Sequence, residues 1–331
     1  MIMNPNPKKP IIISIAMATF NGEKYLKDQL QSFINQTRPP DELVVCDDHS
    51  SDKTIDILRD FAATAPFSVK VVCNELNLGY TKNFEKALSL CTGDFIFLSD
   101  QDDVWFPEKI SSQTCYLQEH PECLVVVCDM QICDRHMMPS GKTLLGNILD
   151  LGEKKTTLIA GCATALRRQF LDLFQPVPDP QMGHDNWIGW LSNTLEVKHI
   201  IEQPLQLYRR HDKNTSDSIV TRQSRIPTLG LALTYGLRSS LDGWVIDMSN
   251  IQNTRNRISE RPEVIKALGL GHHVPPAFAR FDKRTKNLED RMVLVSHPRI
   301  TRWAFVILFW MKGGYQHFAG WKSVLKDIVR P

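Results

Sequence analysis

Gly93-Asp-Phe-Ile-Phe-Leu-Ser-Asp100-Gln-Asp-Asp-Val-Trp-Phe-Pro107 is the stretch on which the fold turns. Phe95 to Leu98 is a short apolar, aromatic run without Gly or Pro, which predicts a buried strand. Directly after it, Asp100, Asp102 and Asp103 crowd three carboxylates into four residues, where an open α/β sheet keeps its ligand crevice. Two unit charges about 4 Å apart repel by roughly 1 kcal/mol in water and by about 4 kcal/mol at an effective dielectric of about 20. A crevice holding such a cluster asks for a cation. Hard oxygen ligands with room for water suit Mg2+ or Mn2+, ions that share their coordination with substrate phosphates. The alternative is a solvated acidic turn leading into a helix cap.

Upstream, strand and helix patterns alternate. Ile11 to Ala18 predicts a first strand, and Asn21-Gly22 turns into a helix over Glu23 to Gln36, with Tyr25, Leu26, Leu30, Phe33 and Ile34 on one face and Pro39-Pro40 as its stop. Leu43 to Cys46 predicts a second strand, ending in Asp47-Asp48-His49-Ser50-Ser51-Asp52 ahead of a helix from Thr54 to about Ala63. Val69 to Cys73 predicts a third, after which Asn77-Leu78-Gly79-Tyr80 turns into a helix from Lys82 to Leu90. This alternation predicts an α/β chain with a doubly wound, mostly parallel sheet. In such a sheet the loops after successive strands share one edge, so Thr19 to Asn21, Asp47 and Asp48, Asn77, and Asp100 to Asp103 should face one crevice. None of these loops carries Gly-x-Gly-x-x-Gly or Gly-x-x-x-x-Gly-Lys-Ser/Thr, which argues against a dinucleotide oxidoreductase and a phosphate-loop NTPase.

Downstream, Pro107 to His120 reads as a helix and Leu124 to Cys128 as a buried strand, followed by a polar region to about Lys155. Leu158 to Leu166 predicts a small-residue strand around Gly161, and Gly183-His184-Asp185-Asn186-Trp187 opens another helix. Pro204 to Tyr208 makes a last strand ahead of Arg209-Arg210-His211, and the pattern then becomes helical. Two regions follow: 1–220 as the catalytic domain and 221–331 as a mainly helical, basic extension, with residues 1–10 a loose arm.

With 331 residues the chain has ample core, and a net charge of +2 points to no nucleic-acid partner. The charge is unevenly distributed: from Ile251 onward there are 15 Lys and Arg against 6 Asp and Glu. Eight cysteines without a Cys-x-x-Cys pair read as reduced core thiols of a cytosolic protein. Lys8-Lys9 before the apolar Ile11 to Ala18 faintly resembles an export signal, but the run is short, rich in Ile and continuous with a helical pattern. No segment approaches the roughly 20 apolar residues that span a bilayer.

Four motifs in order carry a resemblance: Ala18-Thr19-Phe20-Asn21, then Val-Val-Cys-Asp47-Asp48-His-Ser-Ser-Asp52, then Asn77-Leu-Gly79-Tyr, then Leu98-Ser-Asp100-Gln-Asp102-Asp103-Val-Trp105. Over about residues 11 to 212 the chain resembles the family 2 glycosyltransferases, inverting enzymes of the GT-A fold that use nucleotide sugars. Its Asp-Gln-Asp-Asp-Val-Trp is most similar to the rhamnosyltransferase-type branch that builds bacterial surface polysaccharides. The resemblance implies that Thr19 and Phe20, with Asn21, line the nucleobase pocket and that Asp48 hydrogen-bonds the base. Asp100 would hold the ribose or a metal-bound water, Asp102 would ligate Mg2+ or Mn2+ at the diphosphate, and Asp103 would support them. Asn77 and Asn83 would be donor contacts, and Arg209, Arg210 and His211 would bring positive charge or a further metal ligand. A divalent ion neutralises the charge that a diphosphate leaving group develops. Asp185 would be the general base that takes the acceptor proton.

Each assignment has an alternative. Asp185 or Asn186 ahead of Trp187 would make a good helix N-cap, as would Asp47, Ser50 and Ser51. Asn77 and Asn83 could be turn and cap residues, and Arg209-Arg210 a solvated strand end. Two departures bear on the resemblance. The Gln-x-x-Arg-Trp signature of processive synthases is missing, so transfer of a single sugar is expected, and Phe20 stands where many relatives carry Tyr, which keeps the ring and loses a hydroxyl.

The implied partners are a nucleotide-diphosphate sugar and a lipid-linked or free glycan acceptor, as in O-antigen or capsule synthesis, at the inner face of the cell membrane. Trp303 to Met311 is almost wholly apolar, and Trp310, Tyr315, Phe318 and Trp321 lie among Arg302, Lys312, Lys322, Lys326 and Arg330. Such a mixture suits an interfacial helix on an anionic membrane, or alternatively a helix pair packed on the catalytic domain or in a homodimer. Two rivals stand beside the transferase. A nucleotidyltransferase that makes nucleotide sugars would want a Gly-rich, Arg- and Lys-bearing loop after strand one, and Thr19 to Gly22 offers none. A non-catalytic nucleotide- or carbohydrate-binding module would tolerate Asp185→Ala.

Overall fold

A computed structural model describes residues 10–178, 182–211, 241–318 and 320–330. The arm expected at the N-terminus, the start of the helical pattern after His211 and the boundary expected at 220 lie outside the described residues, Pro10 excepted. The chain divides into two compact units, Met1–Thr221 and Arg222–Pro331.

In the first unit β1 (Ile13–Thr19), α1 (Leu26–Ile34), β2 (Glu42–Asp47), α2 (Thr54–Thr64), β3 (Ser68–Cys73), α3 (Tyr80–Leu90) and β4 (Phe95–Ser99) alternate as the sequence predicts. β5 (Val104–Trp105), α4 (Lys109–Glu119), β6 (Val125–Cys133), β7 (Pro139–Thr143), α5 (Leu144–Asp150), β8 (Thr164–Arg167), α6 (Leu171–Phe174), α7 (His184–Thr194) and β9 (Lys198–Arg209) follow. One sheet runs β3-β2-β1-β4-β8-β6-β9-β5, with β7 on β6. Its first half, β1 to β4, is parallel, whereas β8 runs antiparallel to both β4 and β6.

Burial explains the parallel half. β1 has only one residue that is not fully buried, as a central strand covered by helices on both faces must. Ile13, Ile15, Met17, Leu43, Val45, Phe95 and Phe97 pack with Leu26, Leu30 and Phe33 of α1 and Leu58 of α2. Ile34, expected on the buried face of α1, is exposed, because one step of about 100° past Phe33 leaves the stripe that faces the sheet. All eight cysteines are free, with Cys73 and Cys115 exposed.

The downstream half departs further from expectation. Gly161 to Ala163 is a 3-10 turn, so the strand expected over 158–166 is only Thr164–Arg167. The polar region before Lys155 contains β7 and α5, the latter capped by Thr143, whose hydroxyl accepts from Gly146 N–H. Val104–Trp105 is an unforeseen two-residue strand that exists because β9 pairs with it.

The second unit holds α8 (Asp242–Glu260), α9 (Pro262–Ala267), α10 (Val274–Ser296), α11 (Arg299–Met311) and α12 (Trp321–Val329). Leu294, Val295, Val306, Tyr315 and Val324 form its core. Beside that core, Arg291 donates from Nε and Nη2 to the two oxygens of Asp327 at 2.8 and 2.9 Å, and Tyr315 Oη donates to Asp327 Oδ2 at 2.9 Å. Asp327 is wholly buried, so Asp327→Ala would strand a buried guanidinium and is expected to cost about 3–5 kcal/mol. Limited proteolysis of the full chain along a urea series checks this, with cuts in 241–330 expected at lower urea for the variant. No described helix is long and apolar enough to cross a membrane.

Candidate active site

Sheet register assembles the loops. Thr19 pairs with Asp47 and Met17 with Ser99, so β1, β2 and β4 end side by side. Thr19 Oγ1 donates to Asp47 Oδ2 at 2.8 Å, and Asp48 N–H donates to the Thr19 carbonyl at 2.8 Å. Gln101, inside the acidic motif, clamps the first loop: Phe20 N–H donates to its Oε1 at 2.9 Å and its Nε2 donates to the Phe20 carbonyl at 3.0 Å. A Cβ on Gly22 would stand 2.2 Å from Gln101 Oε1, so a larger residue there would displace the Gln101 amide from its clamp. Asn21 N–H donates to Ser50 Oγ, and its Oδ1 accepts from Ser51 N–H, which ties the first loop to the second.

Asp48 is buried, and its carboxylate accepts from Leu78 N–H at 2.7 Å, Gly79 N–H at 2.9 Å and Asn74 Nδ2 at 2.9 Å. It therefore fixes the Asn77 loop, whose own Asn77 Oδ1 accepts from Gly79 N–H as a turn residue does. Gly79, not Asn77, is the N-cap of α3. Asn83, expected as a donor contact, is buried, and its amide is taken up by the Cys46 and Thr19 carbonyls and by Asn74, so it braces three loops. The cap expected of Asp47, Ser50 and Ser51 is also absent, because Ser50 donates to Asp47 and the N-cap of α2 is Lys53. Phe20, Leu78 and Tyr80 stay exposed along this rim.

Two antiparallel pairings build the acidic end. β4 pairs Phe97 with Ala165, a register that carries Cys162 to Asp100. The ligand atoms of Asp100, Asp103 and Cys162 lie within 4.8 Å of one another. β5 pairs Val104 with Leu207, a register that carries Arg209 to Asp102. Arg209 N–H donates to Asp103 Oδ1 at 3.1 Å and its Nε donates to the Asp102 carbonyl at 2.7 Å. The guanidinium also meets Asp28 Oδ2 at 2.8 Å and the Arg135 carbonyl at 3.0 Å, so the buried Arg209 acts here as a brace of the acidic loop. His211 Nε2 lies 2.7 Å from Asp102 Oδ2, and its ring stacks on Tyr25.

Under the loop, Gln206 Nε2 donates to Asp103 Oδ2 at 3.0 Å, while the wholly buried Lys109 donates to Gln206 Oε1 and to the Cys162 carbonyl. Burial pushes the Asp103 carboxyl up to about 7, with the charge of Asp102 adding to it. Asp100 is raised well above the carboxylate range, first by desolvation and then by Asp102, Asp103 and Asp185. Burial likewise raises the Cys162 thiol and lowers Lys109. Burial thus favours the uncharged forms of these carboxyls unless a cation stands beside them, and the oxygen-rich donor set fits a hard divalent ion. Asp100, Asp102 and His211 have the atoms to hold one.

Asp185 lies beside this cluster: a Cβ on Gly161, the neighbour of Cys162, would stand 3.6 Å from Asp185 Cβ, and the charge of Asp185 helps to raise Asp100. It does not cap α7: the N-cap is Gly183 at φ 81, and Asp185 sits in the first turn. A Cβ on Gly183 would approach Asp185 Oδ1 to 2.9 Å. Next to it His184 is buried, stacked on Phe84 at 4.0 Å between centroids, with no hydrogen-bond partner on either ring nitrogen, and desolvation lowers its pKa.

The structure therefore brings Asp100, Asp102, Asp185, Arg209 and His211 into one neighbourhood, and laces Thr19, Phe20, Asn21, Asp48 and Asn77 into adjoining loops. Sequence reading missed Gln101, although it stands as the one neutral side chain in Asp100 to Asp103. Lys109, Cys162 and Gln206 carried no local signal, because strand pairing brings Cys162 and Gln206, and the packing of α4 brings Lys109, under the acids.

Residues 14–174 match the model described as Glycosyl transferase family 2. EpsE of Bacillus subtilis strain 168, named as a glycosyltransferase, is 33% identical over 132 residues, 40% of this chain and 46% of its own length. The Shigella flexneri protein named dTDP-rhamnosyl transferase RfbG is 26% identical over 235 residues, 65% of this chain and 78% of its own. The chain spans between a third and a half of the length of the first curated relatives it matches. In fold it is similar to S. aureus TarS 1-349 in complex with UDP-GlcNAc, with a TM-score of 0.53, 16% identity, and coverage of 96% of this chain and 90% of that one.

Proposed function

Residues 14–174 being a glycosyl transferase family 2 domain of GT-A fold, we propose that the protein moves one sugar from a nucleotide diphosphate to a glycan hydroxyl, with inversion. The observation that supports this reading is the approach of Asp185 to Gly161, next to the Asp100, Asp103 and Cys162 group, a carboxylate beside an acidic cluster. The Phe20 ring is exposed and held at its backbone by Gln101, a fit for stacking on a nucleobase, and Asn21 and Asn77 line the same rim. Thr19, Asp48 and Arg209 hold those loops in place from beneath. Asp100, Asp102 and His211 would hold Mg2+ or Mn2+, which supplies charge neutralisation for a departing diphosphate. Asp185 takes the proton of the acceptor hydroxyl as that oxygen attacks the anomeric carbon from the face opposite the leaving group.

The donor we favour is dTDP-rhamnose, with a UDP-sugar as the second choice, because the relative matched over most of its length is named for dTDP-rhamnosyl transfer. The acceptor fits a growing surface glycan, O-antigen or capsule. Eight free thiols support a reducing, cytoplasmic setting. A thermal-shift screen of nucleotide diphosphates and nucleotide sugars, with and without Mn2+, tests the reading, since a ligand at 100 times its Kd stabilises by about 2.7 kcal/mol. A metal-dependent rise in Tm with one nucleotide class is expected; no shift with any of them overturns the proposal.

A further inference from the structure

The transferase chemistry leaves α11 unused. Its residues Arg302, Val306 and Phe309 turn toward the core of the second unit. Almost everything else on it is exposed and apolar: Ile300 is 86% exposed, Trp303 and Trp310 each 55%, Met311 79%, with Ile307 and Leu308 between them. At about 100° per residue, Trp303, Ile307, Trp310 and Met311 fall on one stripe, and the exposed cations Arg299 and Lys312 stand at the two ends of the helix. A patch of this kind marks a partner surface.

Charge selects the partner. Of the seven Lys and Arg from Arg291 to the end of the chain, Arg291, Arg302 and Arg330 are buried and Arg299 and Lys312 are exposed, against a single acid, Asp327. That acid is buried and bonded to Arg291 and Tyr315, so it offers no negative charge to the surface. A second copy of the same face would bring like charge to like charge. An apolar stripe with tryptophans and terminal cations matches the boundary between headgroups and acyl chains, where indole rings settle and long basic side chains reach outward. Thirteen residues make a helix of about 20 Å, too short for a hydrocarbon core of about 30 Å, so it would lie in the plane of the interface.

We propose that the exposed face of α11 docks the protein on an anionic phospholipid surface. The inference stands apart from the transferase reading, because it uses no residue of that site. Flotation of the full chain tests it, on vesicles of phosphatidylcholine with and without phosphatidylglycerol. Wild type is expected to float with the anionic vesicles alone and to be released by high salt. The paired variants Trp303→Ser with Trp310→Ser, and Arg299→Glu with Lys312→Glu, change exposed side chains and are expected to lose about tenfold or more in partitioning. Far-UV circular dichroism confirms that both still fold, and the nucleotide-dependent Tm shift is expected unchanged in them. Wild type that stays at the bottom, floats equally with neutral vesicles, or floats no better than the folded variants overturns the proposal. So does sedimentation showing a wild-type dimer that the tryptophan variants dissolve, without lipid binding.

Discussion

Asp185→Asn is expected to lower turnover about 10³-fold while donor binding stays within a few-fold, the scale of a lost general base. The carboxamide keeps the volume of the side chain but cannot accept the acceptor proton. The helix should tolerate the change, because Gly183 and not Asp185 forms the N-cap of α7. Folding damage and chemical damage are therefore separable here. Steady-state rates with a glycan acceptor, set beside donor Kd from calorimetry, make the comparison. Wild-type turnover in the variant would take the base role away from Asp185, whereas no turnover in wild type itself would favour a binding module over an enzyme.

The second large effect is expected from Asp102→Asn. Its charge is among the causes that raise both Asp100 and Asp103, and its Oδ2 lies 2.7 Å from His211. Removing it takes one anion from a cluster that wants a cation, and removes a hard ligand at the same time. We expect the Mn2+ concentration needed for half-maximal nucleotide-induced stabilisation to rise about 100-fold, and chelation to abolish turnover in wild type. A variant that responds to Mn2+ as wild type does would move the cation away from Asp102. Asp100, Asp103 and Cys162, which lie within 4.8 Å of one another, would then be the donors to examine.

How much could be read in advance varied along the chain. Through residue 99 the alternation of apolar runs and amphipathic stripes placed every strand and helix within a few residues, since local period and burial agree there. After residue 100 they part. Leu158 to Leu166 looked like one strand, yet Gly161 to Ala163 form a 3-10 turn and only Thr164–Arg167 pairs with β4 and β6; Gly161 lies so close to His184 that a Cβ would come within 2.7 Å of its Nε2. Val104–Trp105 has no signature of its own and is a strand only because β9 lies beside it. Asn83 is a buried brace that no local pattern announces, because the Cys46 and Thr19 carbonyls it reaches lie 37 and 64 residues away.

The sequence alone determined the α/β class, the parallel first half of the sheet and the acidic loop at its edge, because strand period, helix stripe and turn residues are local properties of a few adjacent side chains. Only the tertiary structure decided which groups stand around that loop. Cys162 reaches Asp100 through β8, Arg209 reaches Asp102 through β9, and Asp185 arrives on α7, each by strand register or packing between segments far apart in the chain. The desolvation that raises Asp100 and Asp103 comes from that same convergence, and it depends on how many distant atoms displace water, which no stretch of sequence records.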